Sequence, residues 1–375
     1  MALEISHGKG NFLYDTDGNK YLDLIAGISV SNIGHGNPEV IEAIKNQADQ
    51  YLHTLVYGEL IQAPQVRLAE ALAATMPPEI DQFFFVNSGS EAIEAAMKLA
   101  KRATGKPEIV SCHKAYHGSS HGALSLNGDE YFKRNYRPLL PGIRQIRYSN
   151  REDLDQINHR TAAVIIETVQ GEAGIKCADF GYFPKLRRKC DEVGALLIVD
   201  EIQTGFGRTG TFWGFEQLAF IPDVVVMAKG MGGGMPLGAI AASQKLLACF
   251  TENPVLGHIS TFGGHPISCA ASLASLAFIQ REGLVKQVNK KYNAFVKNLK
   301  HPAILDIRYA GLMLAVELGS FDKVKSVIDF GLKNGFITDW FLYCDTALRI
   351  APPLTITMEE IQWVCDLILK ALDEV

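Results

Sequence analysis

The stretches ALLIVDE (195–201) and DVVVMAKG (223–230) determine the fold expected for this chain. Both are apolar runs without the polar alternation of a half-exposed strand, which is typical of strands covered on both faces. Similar runs occur at FFFV (83–86), EIVS (108–111) and AAVIIE (162–167), with helical patterns between them. The alternation predicts an α/β domain with a mainly parallel sheet, and ligands are expected outside the carboxyl ends of its strands.

Shorter elements flank this sheet. On the N-terminal side, residues 10–27 (GNFLYDTDGNKYLDLIAG) predict two short strands around a turn, and a helix is expected from Pro38 to about Tyr51. After about residue 265 the pattern changes to a long helix, two strand-like segments and a closing helix from Met358. We therefore expect an N-terminal segment (1–45) that packs with the small domain, a large domain (46–265) and a small α+β domain (266–375).

The composition and charge of the chain argue against some classes of partner. The chain has 375 residues and a formal net charge of -5 with no basic run, so nucleic acid is not an expected partner. No apolar stretch approaches the roughly 18 residues of a membrane helix, and the N-terminus lacks the layout of a signal peptide, so a cytoplasmic protein is expected. Seven cysteines without a C-x-x-C pair predict reduced thiols.

Three of the apolar runs lead into a charged residue, namely Glu167, Asp200 and Lys229. A strand that emerges into solvent explains any one of these charges, but three at one sheet edge favour a site. A lysine at an apolar crevice loses its proton more easily, and its neutral amine can form a Schiff base with an aldehyde. A carboxylate such as Asp200 keeps a pyridine nitrogen protonated, so the pattern predicts pyridoxal 5′-phosphate as the cofactor.

The stretch FFFVNSGSEAIEAAMKLA (83–100) predicts a strand, a polar turn and a helix whose N-terminus faces the same crevice. The hydroxyls of Ser88 and Ser90, with the backbone N–H groups of Gly89 and Ser90, suit a phosphate dianion. Ser88 and Glu91 also fit a capping box, which would only begin the helix.

Two further patterns each allow more than one interpretation. Tyr116 could stack on a pyridine ring with His117 beside it, although ordinary aromatic packing is the preferred explanation when Tyr116 is taken without the other signals. His113, His117 and His121 recur every four residues, but the glycine and serines among them disfavour the regular helix that a metal site would require.

The glycines of GFGRTG (205–210) match the G-x-G-x-x-G pattern of nicotinamide or flavin enzymes, so an oxidoreductase is a competing hypothesis. That fingerprint requires a helix that begins at the third glycine. The following TGTFWGFEQ (209–217) is aromatic and broken by glycine, which disfavours such a helix.

In combination, six motifs make the chain resemble the class III aminotransferases, and most of all their acetylornithine and ornithine group. The resemblance extends from GNFLYDTDGNKYLDL to LRIAPPLTIT. The motifs are NSGSEAIEAAMKLA (87–100), AYHG (115–118), ETVQGEAG (167–174), VDEIQTGFGRTG (199–210), MAKGMGGGMPLGA (227–239) and STFGGHP (260–266).

The resemblance implies a fold-type I pyridoxal-phosphate enzyme with a seven-stranded-type sheet, which acts as a homodimer with active sites at the subunit interface. It implies Lys229 as the Schiff-base lysine, Asp200 at the pyridine nitrogen and Gln203 near the phenolic oxygen. Gly89 and Ser90 would bind the phosphate, and Thr261 would reach the phosphate of the neighbouring subunit.

The resemblance also implies a substrate site. Arg349 matches the arginine that binds a substrate carboxylate, and we expect Glu167 to be the glutamate that neutralises it when an ω-amine enters. Acylornithine enzymes have an arginine where this chain has Ser119, and asparagine is usual at His265.

The predicted activity is ping-pong transfer of an amino group from an acetylornithine- or ornithine-like donor to 2-oxoglutarate, in arginine biosynthesis. Because Ser119 replaces the arginine, 4-aminobutyrate or another ω-amine is an alternative donor. A class III decarboxylase or aminomutase shares most of the motifs and is a further alternative.

Overall fold

The computed structural model describes residues 3–56 and 58–374. Its strands are β1 (Ile5–Lys9), β2 (Phe12–Asp15), β3 (Lys20–Asp23), β4 (Gln82–Val86), β5 (Glu108–Cys112), β6 (Ile143–Ile146), β7 (Thr161–Glu167), β8 (Val169–Gln170), β9 (Lys176–Cys177), β10 (Leu196–Asp200), β11 (Val224–Met227), β12 (Gly238–Ala242), β13 (Asp306–Tyr309), β14 (Leu314–Glu317), β15 (Phe336–Ile337), β16 (Trp340–Phe341) and β17 (Cys344–Ile350).

The α-helices are α1 (Ala26–Ser29), α2 (Pro38–Gln50), α3 (Ala63–Ala73), α4 (Gly89–Thr104), α5 (His121–Leu126), α6 (Tyr182–Val193), α7 (Gln244–Leu247), α8 (Pro266–Arg281), α9 (Leu284–Asn298), α10 (Phe321–Asn334) and α11 (Met358–Asp373). Short 3-10 helices occur as well, among them Glu130–Phe132, Arg134–Tyr136 and Gly214–Gln217.

The large sheet has seven strands in the order β4-β12-β11-β10-β7-β5-β6. Strand β12 runs antiparallel to both neighbours, and the pairs from β11 to β6 are parallel. Alternate residues of β10 enter different cores, since Ile198 packs on the side of α4 whereas Leu197 and Val199 pack on the opposite side. Burial on both faces explains why these strands are apolar at every position.

Two four-stranded sheets lie beside the large one, in the orders β1-β2-β3-β15 and β13-β14-β17-β16. The parallel pairing of β3 with β15 joins the N-terminal strands to a strand near the C-terminus, through Leu22 opposite Phe336. The segment before residue 45 therefore contacts the C-terminal part of the chain. The boundaries proposed for the large and small domains stay a prediction.

The expected α/β fold with a mainly parallel seven-stranded sheet is confirmed, and each of the five apolar runs is a strand. Strands β6 and β12 were not predicted. Strand β12 is GAIAA, whose small side chains give a weak apolar signal, and β6 is an edge strand with Arg144 and Gln145 at its centre. Small residues and polar edge residues both obscure the pattern on which strand prediction depends.

Within the described ranges, none of the seven cysteines forms a disulfide. No helix in the same ranges is long and apolar enough to cross a membrane.

Candidate active site

A cavity of about 430 Å³ opens at the carboxyl ends of the large sheet. The strand ends meet there because β7 and β10 are parallel and place Glu167 directly opposite Asp200 in register. Most of the residues selected from the sequence line this cavity together. They are Ser88, Gly89, Ser90, Tyr116, His117, Glu167, Asp200, Gln203 and Lys229.

Lys229 follows β11 after one intervening residue and has a left-handed backbone with φ of 49°. Such a conformation is uncommon for residues other than glycine, and strained backbone of this kind clusters at functional sites. Burial lowers the pKa of Lys229 below its ordinary value, although the carboxylates of Glu172 and Asp200 oppose the shift. The site therefore increases the fraction of neutral, nucleophilic amine.

Asp200 and His117 form a buried pair, with 2.7 Å between Asp200 Oδ2 and His117 Nδ1. Asp200 Oδ1 also accepts the backbone N–H of Ile202 at 3.0 Å. Burial disfavours the charged imidazole, but the hydrogen bond and the charge of Asp200 outweigh it and raise the pKa of His117. The arrangement places a negative carboxylate at the base of the cavity, oriented by a histidine.

Asn127, which sequence reasoning missed, fixes the loop that carries His117. Its Oδ1 accepts the backbone N–H of His117 at 2.9 Å, and its Nδ2 donates to the carbonyl of Gly118 at 3.0 Å. The side chain is almost fully buried, so these bonds hold the loop against the end of α5. Asn127 follows α5 in sequence, where it resembles an ordinary helix-ending asparagine.

The start of α4 forms another wall of the cavity. Ser88 Oγ accepts the N–H of Glu91 at 3.2 Å, while the Glu91 carboxylate accepts the N–H of Asn87 at 3.0 Å, so the helix is capped much as a capping box would cap it. The N–H groups of Gly89 and Ser90 lie in the first turn, where an α-helix supplies no acceptor for them. They can therefore also bind an anion.

Glycine at position 118 allows the loop to approach this helix start. A Cβ atom there would lie 2.0 Å from Ser90 Oγ, and φ at Gly118 is 123°. Ser90 Oγ accepts the backbone N–H of Ser119 at 2.9 Å, which joins the two segments. Tyr116 Oη lies 3.2 Å from Ser119 Oγ on the outer side of the same loop.

The carboxylate that pairs with Arg349 is Glu172, so the expectation that Glu167 neutralises this arginine is wrong. Arg349 Nη1 and Nη2 donate to the two oxygens of Glu172 at 3.0 and 2.9 Å. Glu167 instead accepts the N–H groups of Tyr116 and Gly171, both at 3.1 Å. Glu167 ends β7 within the large sheet, whereas Glu172 follows it in a loop that β17 approaches.

Asp339 completes the surroundings of Arg349, since its Oδ1 accepts from Arg349 Nε at 2.8 Å. Burial raises the pKa of Asp339 to about 6, and Glu172 adds to the shift while Arg349 opposes it. Burial alone would also raise the pKa of Glu172, but the charge and hydrogen bonds of Arg349 lower it overall. Glu172, which lines the cavity, is therefore an ionised partner in a bidentate pair with Arg349.

Thr261 lies outside the cavity and is exposed. Its carbonyl accepts a hydrogen bond from His53 Nε2 at 2.9 Å, and the rings of His53 and Phe262 pack edge to face. The location does not bring Thr261 to the cavity of its own chain.

The histidine pattern (His113, His117 and His121) and the glycine pattern of residues 205–210 have other structural roles. Residues 113–120 do not form a helix, and across the described part of the chain no three histidine, cysteine or acidic side chains cluster as a metal site would require. After Gly210 the chain forms turns and the 3-10 helix Gly214–Gln217 instead of the α-helix that a dinucleotide fingerprint needs.

The family model for class III aminotransferases matches residues 1–372. The chain belongs to this family. The resemblance in the six motifs is thereby confirmed, and the protein is an enzyme, a transaminase that uses pyridoxal phosphate.

Among curated relatives, the chain is 42% identical to acetylornithine aminotransferase of Methanosarcina acetivorans, with 99% of this chain and 92% of the relative covered. It is 38% identical to the enzyme of the same name from Archaeoglobus fulgidus, over 99% and 96%. The solved structure of ornithine aminotransferase from Toxoplasma gondii has a TM-score of 0.93 and 29% identity, over 100% of this chain and 91% of that one.

The side chains around the cavity fit pyridoxal phosphate. A lysine amine of lowered pKa, a carboxylate held by a histidine and a helix N-terminus with free N–H groups surround one space. These groups suit an aldehyde, a pyridine nitrogen and a phosphate respectively.

Proposed function

We propose that this chain transfers an amino group from an ω-amino donor of the acetylornithine or ornithine type to 2-oxoglutarate. The observation that carries the proposal is the Arg349–Glu172 pair beside the cavity that contains Lys229. Glu172 engages both terminal nitrogens of the Arg349 guanidinium, so its movement would expose them to a substrate carboxylate in one half-reaction and its return would neutralise them in the other. The names of the curated relatives support the donor class.

Each group around the cavity would have a separate task. When bound, pyridoxal phosphate supplies an electrophilic aldehyde carbon and a ring that takes up electrons from the donor carbon. Asp200 would hold the proton of the ring nitrogen, Gly89 and Ser90 would hold the phosphate, and Tyr116 would cover one face of the ring. Gln203 would lie near the phenolic oxygen.

Lys229 would act first as the covalent anchor and then as the base that moves the proton of the donor carbon. Its lowered pKa favours the neutral amine that both tasks require. The donor product would leave before the 2-oxo acid enters, so we expect ping-pong kinetics.

Glu172 would decide which substrate reaches Arg349. With an ω-amine donor, Glu172 would stay paired, because a guanidinium that kept only Asp339 as a partner next to the methylene chain of the donor would be unfavourable. With glutamate, Glu172 would move away and Arg349 would bind the substrate carboxylate. Gln203 Nε2 lies 3.4 Å from Glu172 Oε1 and could hold the displaced carboxylate.

Ser119 favours a second candidate, transfer from 4-aminobutyrate or a related ω-amine. Its hydroxyl contacts Tyr116 Oη, and the side chain at this position cannot provide the cationic grip of the arginine usual in acylornithine enzymes.

We also propose a homodimer in which Thr261 contacts the phosphate held by a second copy. Two exposed apolar segments meet near Thr261, through the contact of His53 with Phe262. Their exposed members are Leu52, Leu55, Leu60, Ile61, Val255, Leu256, Ile259 and Phe262. Apolar surface of this kind is typical of subunit interfaces. A cytoplasmic location and a place in arginine biosynthesis stay predictions.

A donor panel tests the activity. N-acetylornithine, ornithine, 4-aminobutyrate, lysine and β-alanine would each be supplied with 2-oxoglutarate, and the glutamate formed would be measured. We expect N-acetylornithine or ornithine to give the highest kcat/KM. A clear preference for 4-aminobutyrate would select the second candidate, and no glutamate from any donor would refute both.

A further inference from the structure

Arg208 lies in the GFGRTG segment (205–210), a motif that the proposed function does not use. Its side chain is fully buried. Within residues 3–56 and 58–374 its hydrogen-bond partners are uncharged, namely the carbonyls of Leu312 and Pro352 and the amide oxygen of Asn32. Burial lowers the pKa of Arg208 to about 9, which reflects an unfavourable environment for its charge. A buried cation bonded only to neutral groups is costly, so its presence indicates a task for its fork of donors.

One terminal nitrogen of Arg208 is bonded beside the strand that carries Arg349. Nη1 donates to the carbonyl of Leu312 at 3.1 Å and to that of Pro352, and the N–H of Leu312 donates to the Arg208 carbonyl at 3.0 Å. Leu312 precedes β14, and Pro352 follows β17, which contains Arg349. Because β14 and β17 are antiparallel partners, the two carbonyls lie at the same end of the strand pair. A shift of that end would move Arg349 with it.

The other terminal nitrogen of Arg208 is bonded on the side of Lys229. Nη2 donates to Asn32 Oδ1, and Asn32 Nδ2 donates to the carbonyl of Phe206 at 3.3 Å. The buried amide of Asn32 packs on the backbone of Gly230, where a Cβ atom would lie 2.6 Å from Asn32 Nδ2. Gly230 directly follows Lys229, so this amide supports the left-handed turn at the reactive lysine.

We propose that Arg208 is a positioning residue that fixes the distance between Lys229 and Arg349. The inference rests on the proposed ω-aminotransferase activity. In the glutamate half-reaction Lys229 acts at the carbon that bears the amine while Arg349 binds a carboxylate, so the spacing of the two side chains must match one substrate. Arg208 spans both sides with a single planar guanidinium. An ω-amine donor, for which Arg349 stays paired with Glu172, depends less on that spacing.

Two variants break the connection at different points. Arg208→Lys keeps a cation, but a lysine ammonium is a compact point charge and cannot span both sides. Asn32→Ala keeps the bonds of Arg208 to the carbonyls beside β14 and β17 and removes the bond on the Lys229 side. Each half-reaction would be followed through the absorbance of the bound cofactor, with glutamate or with the preferred ω-amine donor. We expect about a tenfold loss of kcat/KM for glutamate with either variant, mainly through KM, and a change below about twofold for the ω-amine donor.

The double variant tests whether the two residues belong to one connection. Arg208→Lys combined with Asn32→Ala should lose no more glutamate activity than the more affected single variant, because the connection is already broken. A loss equal to the product of the two single losses would show that the residues act independently, and it would overturn the inference.

Lys291→Met is the matched control. Lys291 is also a buried cation that donates to a backbone carbonyl, that of Leu354, but its bond joins α9 to the segment after β17 and does not extend to the Lys229 turn. This control should lower the melting temperature and leave kcat/KM for both substrates unchanged. Equal losses for glutamate and the ω-amine donor with Arg208→Lys and Asn32→Ala, or no loss for either substrate, would overturn the inference. A wild-type enzyme whose cofactor absorbance responds to neither substrate would instead refute the proposed function.

Discussion

At the scale of single residues, a strand determines the position of Lys229, and the surrounding residues determine its pKa. Strand β11 brings it to the sheet edge, and the left-handed backbone turns the chain there, while burial lowers its pKa. The amine would have two successive tasks, as anchor and as base, and one substitution removes both.

Lys229→Ala should therefore reduce kcat at least about a thousandfold, in the range known for the loss of a general base. The cofactor should also become removable by dialysis, because nothing would hold it covalently. Lys229→Arg is the matched control for charge: an arginine stays protonated, so its kcat should fall equally. A Lys229→Ala variant within about tenfold of wild-type kcat would contradict the assigned role.

Glu172 and Glu167 provide a second comparison between single residues, since of these two glutamates Glu172 is the one that pairs with Arg349. Glu172→Gln should weaken the pair, which frees the terminal nitrogens of Arg349 for glutamate and leaves Asp339 as its remaining carboxylate partner beside an ω-amine donor. The ratio of kcat/KM for glutamate to that for the donor should rise at least about tenfold. We expect Glu167→Gln to change both values by the same factor. A larger change of the ratio with Glu167→Gln would restore Glu167 as the switch.

At the scale of elements, α11 begins with a capping box formed by Thr357 and Glu360. Thr357 Oγ1 accepts the N–H of Glu360 at 3.2 Å, and Glu360 Oε2 accepts the N–H of Thr357 at 2.8 Å. Glu360 Oε2 also accepts from Asn11 Nδ2 at 2.7 Å, which fastens the N-terminal segment to this helix.

Thr357→Ala should lower stability by about 1 kcal/mol, the usual effect of losing a cap. In a protein of this size that corresponds to a decrease in melting temperature of about 2 °C, measured calorimetrically on the holoenzyme. Glu360→Ala should cause a larger decrease, because it also removes the bond to Asn11. Equal melting temperatures for Thr357→Ala and wild type would exclude a contribution from the cap.

Local signals explain which elements could be predicted. A capping box and an apolar strand are each encoded by residues close together in the sequence. The elements α11, β7, β10 and β11 can therefore be predicted from the sequence. The partner of Arg349 cannot be predicted from consecutive residues, because the pair depends on the packing of β17 beside the loop after β7. Both Glu167 and Glu172 lie in ETVQGEAG. The expectation that a functional residue directly follows a strand selects Glu167, whereas the residue that pairs with Arg349 is Glu172. Asn127 likewise acts through a contact outside its own helix, with His117 ten residues before it.

At the scale of the whole molecule, the position of Thr261 predicts that one chain is incomplete. The residue is exposed and lies away from the cavity of its own chain. It is next to exposed apolar segments that a subunit interface would bury. If Thr261 serves a second copy, each active site combines Lys229 of one chain with Thr261 of the other. A C2 dimer would then contain two such shared sites.

Mixing two defective variants tests this arrangement. Thr261→Ala should weaken cofactor binding, and Lys229→Ala should abolish turnover, so at limiting pyridoxal phosphate each alone has little activity. After subunit exchange, a mixed dimer contains one site with both residues intact and one with neither. A random mixture should therefore recover about a quarter of the wild-type activity, since half of its dimers are mixed and each has one working site of two. Activity that only averages the two variants would place Thr261 and Lys229 in the same chain's site and would contradict the shared dimer.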